Sequence, residues 1–193
     1  AASRAGEIAN KAAEELGDRS LRLTAITNAL NVAERMNDHS SVIALRRMQA
    51  NVYLTVPSGS PSDDDKDQAL RAAEAGVSWL DSHSETIDSE ELIFLRAGIE
   101  YIRGWVYMKR NEPEIAIPIL RQSHEMQKEI KDSQNYPFPL SALADCYTQL
   151  GDTDALRDLV TEINETAKKA HSSGSKLRAL ARDIEKQLSG EEG

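Results

Sequence analysis

The chain of 193 residues has one cysteine, Cys146, so no disulfide can form within it. A lone cysteine at a helix position expected to be buried reads as a small core residue in a reducing compartment, and a cytoplasmic protein is expected. Long apolar runs are missing too: none approaches the ~18 residues that cross a bilayer, so no membrane contact is expected. The opening residues Ala1-Ala2-Ser3-Arg4 lead into a polar helical pattern rather than the apolar stretch of a signal peptide. No Met opens the chain, which leaves open that it is a fragment of a longer protein. Lys and Arg never form a block, and the net charge is −9, so binding to nucleic-acid backbones is not expected. The acidic balance favours solubility and the steering of basic partners.

Catalytic signatures are absent as well. There is no phosphate-cradling glycine loop, no nucleophile elbow and no His-Glu-x-x-His pair. His39, His83, His124 and His171 are scattered, with no His-x-x-x-His spacing to converge on a metal. Glu14-Glu15 and Glu90-Glu91 are adjacent and so fall on different helix faces, as solubilising charge does. These absences predict a protein that is not an enzyme and that needs neither metal nor cofactor. Strict apolar–polar alternation is confined to Val52–Val56, at the end of a helical pattern.

What remains is helical periodicity throughout. Nine helices are expected in one domain over 1–193: Ala2–Leu16, Arg19–Met36, Ser41–Thr55, Lys66–Ser82, Ser89–Arg110, one from after Asn111 to Lys131, Leu140–Leu150, Thr153–Ala170 and Ser175–Leu188. The Pro, Gly, Ser and Asp residues of 57–65 read as a mobile loop. Ser60-Pro61 suits a proline-directed kinase and Ser62, followed by three Asp, an acidophilic one, beside the simpler reading of a solvated loop. Asp65 with Gln68, Asp88 with Glu91, and Asn111 with Glu114 have capping-box spacing. The small face Ala69, Ala72, Ala73 and Gly76 would admit a neighbouring helix closely. Pro118 predicts a kink, turned outward because it lies about 200° from Ala116. The sequon Asn164-Glu165-Thr166, mid-helix, reads as chance.

One pattern recurs forty residues apart: Gly104, Tyr107 and Asn111 correspond to Ala144, Tyr147 and Gly151. Ala116, Leu120 and Ser123 follow the first turn, and Leu156 and Val160 the second. Ala50 with Tyr53 and Leu16-Gly17-Asp18 are partial matches upstream. A fixed period marks stacked units that cannot bury their apolar faces alone. The spacing resembles the tetratricopeptide (TPR) repeat. That resemblance implies an all-α, right-handed superhelical array of antiparallel helix pairs, whose first helices line a concave groove for a partner's peptide or helix. It places Arg47 and Asn51, then Tyr101, Trp105 and Met108, then Phe138, Ser141 and Asp145 on the groove. Arg47 and Asn51 match half of the family's clamp for a terminal carboxylate, whereas Tyr101, Ile102 and Trp105 stand where its other half would be. A protein-interaction module is the leading expectation. A regulatory domain sensing a ligand or peptide for an attached effector, and a scaffold that self-associates as a homo-oligomer, are the alternatives.

Overall fold

The computed structural model describes residues 18–56, 59–130, 137–169 and 173–190. The helix expected over Ala2–Leu16 lies outside the described residues. Those residues form eight helices and no strand: α1 (Arg19–Arg35), α2 (His39–Leu54), α3 (Asp63–His83), α4 (Ser89–Lys109), α5 (Pro113–Glu129), α6 (Pro137–Leu150), α7 (Thr153–Lys169) and α8 (Gly174–Ser189). Val52 and Leu54 are buried positions of α2, so the one alternating stretch is helical up to Leu54.

Each helix packs on the next in sequence. Among the described residues, α2 also touches α4, α4 touches α6, and α6 touches α8, whereas α1, α3, α5 and α7 have no such contacts with one another. The helices therefore form two layers, one more closely stacked than the other. Side-chain ion pairs bridge the looser layer: Arg19 to Asp65 from α1 to α3, and Arg121 to Glu162 from α5 to α7.

Turn chemistry explains the forty-residue period. Asn111 and Gly151 both adopt left-handed backbone, with φ of 62° and 67°. The following N–H donates back to the Tyr107 or Tyr147 carbonyl at 3.0 Å, which closes a Schellman turn. Asn37, with φ of 50°, ends α1 in the same way through a bond from Asp38 N–H to Ala33 O. The small residues in the pattern admit a neighbour. A Cβ on Gly104 would lie 2.7 Å from Leu120 Cγ, and one on Gly76 2.8 Å from Ile99. Ser123 donates to the Ala97 carbonyl across the same α4–α5 seam.

Expectations at the helix ends change. Helix α3 starts at Asp63, not Lys66, because Ser62 caps it. Ser62 accepts from Asp65 N–H while Asp65 accepts from Ser62 N–H, and the three Asp of the first turn suit the positive end of the helix dipole. Ser62 to Asp65 therefore belong to an anchored helix start rather than to the loop expected over 57–65. Helix α6 starts at Pro137, since proline fits a first turn, where its missing N–H has no helical partner anyway. The Asn111–Glu114 box does not form: Asn111 is the turn residue, and Glu112 caps α5 without a side-chain bond. Helix α5 runs through Pro118, which faces solvent.

Candidate partner-binding groove

The closely stacked layer presents one face of α2, α4 and α6. Tyr101 and Trp105 are four residues apart, hence on one stripe of α4. Their rings stack at 6.5 Å between centroids and 13° between planes. Phe138, in the first turn of α6, meets Tyr101 at 5.8 Å and is 50% exposed. Tyr101 and Trp105 are half-buried, and both pack against the rims of two separate core clusters.

Arg47 comes from α2 and its Nη1 lies 2.9 Å from the position a Cβ on Gly98 would occupy. Glycine there is what allows the guanidinium to lie against α4. Burial pulls the Arg47 pKa below its usual value, while the neighbouring Tyr101 opposes that shift. Burial likewise raises the Tyr101 pKa, keeping the phenol a proton donor, with Arg47 lowering it and Asp145 raising it further. Asp145 is exposed by area, yet it is close enough to Tyr101 to act on its phenol. Partial desolvation raises its carboxyl pKa, and Lys109 partly offsets this.

Asn51 and Ser141 are exposed on the same helices, and neither side chain makes a hydrogen bond among the described residues. Met108 requires a correction. It is 2% exposed and belongs to the core with Ala116 and Leu120. The stripe through Tyr101 and Trp105 continues four residues on, to Lys109, whose Nζ lies 5.9 Å from the Trp105 ring centroid. Three-residue spacing turns a side chain about 60° off that line. Lys109 is absent from the expected groove, where the repeat spacing put Met108.

Two other clusters carry polar chemistry. His124, Glu125 and Glu162 bring donor atoms within 4.8 Å of one another, a set that could surround a cation. Cations of the protein already occupy it: Arg121 pairs with Glu162, and Lys128 lies 2.6 Å from Glu125 and 3.4 Å from Glu162. The buried His124 is 3.2 Å from Glu162, and its bond followed by that of Arg121 holds the Glu162 carboxyl at about 2. In the second cluster, Trp79 Nε1 donates to His39 Nδ1 at 3.1 Å and His83 stacks on the Trp79 ring at 4.0 Å. Both join helices across the array and are read as structural. Comparison with protein-family models, with characterised proteins and with solved structures returns no match.

Proposed function

We propose that the chain is a non-enzymatic protein-interaction module, a TPR-like right-handed superhelical array whose inner layer α2, α4, α6 and α8 receives a peptide or helix of a partner protein. The layered contacts support the array, because closer stacking on one side bends a row of helix pairs toward that side. The groove reading rests on one observation. Tyr101, Trp105 and Phe138 gather from two helices into an open aromatic wall, and neither the Tyr101 hydroxyl nor the Trp105 indole N–H has a hydrogen-bond partner among the described residues. Trp79, by contrast, satisfies its N–H on His39. Aromatic side chains with an apolar body and a free polar tip are the usual anchors of interfaces.

The test is selection from a displayed peptide library, with peptides blocked at both ends, on the wild-type chain and on Phe138→Ala. Peptides enriched on the wild type should bind Phe138→Ala about tenfold or more weakly, a loss of ~1.4 kcal/mol. The melting temperature should barely move, since Phe138 is half exposed. Failure to enrich any peptide would remove this reading. A dimer in light scattering that Phe138→Ala dissociates would replace it with self-association.

A further inference from the structure

We infer that the groove takes a segment carrying an internal acidic side chain beside an aromatic or bulky apolar residue, with the carboxylate on Arg47 and the apolar group on Tyr101 and Phe138. This rests on the groove reading above. Arg19, Arg46, Arg96, Arg103, Arg110 and Arg121 are all partly buried, and each has an Asp or Glu partner. Among the described residues Arg47, which is partly buried, makes no hydrogen bond or ion pair, and its Nε is shielded from solvent with nothing to bond. In a chain with 32 Asp and Glu against 23 Lys and Arg, that is a specific omission.

A partly desolvated charge without a counter-ion costs folding free energy, so the fold gains nothing from the guanidinium where it stands. Gly98 nonetheless leaves room for it against α4. The Tyr101 hydroxyl and the Trp105 N–H, without partners among the described residues, are donors as well, and the one carboxylate beside them, Asp145, has Lys109 as its offsetting cation. A surface of unsatisfied donors around aromatic rings complements an acceptor-rich ligand, and a carboxylate takes two parallel bonds from a guanidinium. The wall continues past Arg47 to Asn51 along α2 and past Tyr101 to Phe138 and Ser141 on α6. The segment therefore crosses the site, and its acid is a side chain rather than a chain end.

The experiment uses an end-blocked peptide selected on the wild-type chain and its Glu→Gln or Asp→Asn counterpart, each measured against wild type and Arg47→Gln. The acid-to-amide change should weaken binding to wild type by about 10- to 100-fold and to Arg47→Gln hardly at all. Arg47→Gln should melt at the same temperature as wild type or higher, which separates lost binding from lost folding. Selected peptides that need Phe138 but show no preference for an acid would overturn this inference and leave the groove reading intact. Equal losses on both proteins, or binding that requires an unblocked C-terminus, would also overturn it. If no peptide is enriched, both readings fall together.

Discussion

Glu162 reaches from α7 into a cluster of cations on α5, and its ionisation should be visible in the acid limb of stability. Its carboxyl sits at about 2 in the folded chain against 4.5 unperturbed. A depressed folded pKa contributes stability that is complete above the unfolded value and is lost as pH falls from about 4.5 toward about 2. Denaturant melts across that window should show Glu162→Gln with a shallower acid limb, its deficit about 2 kcal/mol at pH 7 and shrinking toward pH 2. A deficit independent of pH would mean that the carboxylate is not held charged by Arg121 and His124. Cys146 makes the opposite case. It is fully buried, and burial with the neighbouring Asp145 pushes its thiol up to about 12. A thiol reagent at pH 8 should leave the native chain unmodified and react with one equivalent once the chain is unfolded. Prompt native labelling would contradict the packing of α6. That Cys146 is buried was legible from helical periodicity; the partners of Glu162 were not, because Arg121 lies 41 residues away on another helix.

Helix ends show where local patterns stop deciding. Ser62-x-x-Asp65 and Asp65-x-x-Gln68 carry the same capping signature, and the choice between them depends on Arg19, which pairs with Asp65 from α1. Asp88 caps α4 as its spacing implies, yet Glu91 does not close the box, because Ser40 of α2 donates to it at 2.6 Å. The repeated small residue, by contrast, was readable, since its cause lies in the repeat itself. At Gly104 α5 packs close to α4, and a Cβ there would meet Leu120 rather than open space. Gly104→Ala should therefore cost about 1–3 kcal/mol through overpacking, despite alanine's better helix propensity. Thermal denaturation checks this, with a fall of about 2–4 °C expected per kcal/mol for a chain of this size. An unchanged or raised melting temperature would mean that the seam is loose enough to absorb a methyl group. The cluster of Arg47, Tyr101 and Trp105 was legible in part. The spacing of Tyr101 and Trp105 follows from a helix alone, whereas Arg47 joins them only because α2 packs on α4, two helices along.

At the scale of the molecule, the core of the described residues is three clusters in series rather than one. The first lies between α1 and α2, the second spans α2 to α4, and the third runs from the end of α4 to α8. Among the described residues, each helix contacts only its first and second neighbours. Stability in such an array is close to a sum over neighbouring units, and distant units open independently. Leu177, fully buried on α8, belongs to the third cluster. Leu177→Ala should cost ~2–5 kcal/mol locally. Hydrogen exchange should then show protection falling in α6, α7 and α8 while α1, α2 and α3 keep theirs. Loss spread evenly over all eight helices would instead mean a single cooperative unit. Tyr101 and Trp105 edge both the second and the third cluster, so they are where one unit hands over to the next. Truncating Trp105 should therefore lower stability as well as binding, and Phe138 is the cleaner probe of the groove. A peptide seated on that junction would touch side chains that belong to both units. Binding should accordingly raise protection on both sides of the junction together, and a rise confined to α4 would place the peptide elsewhere.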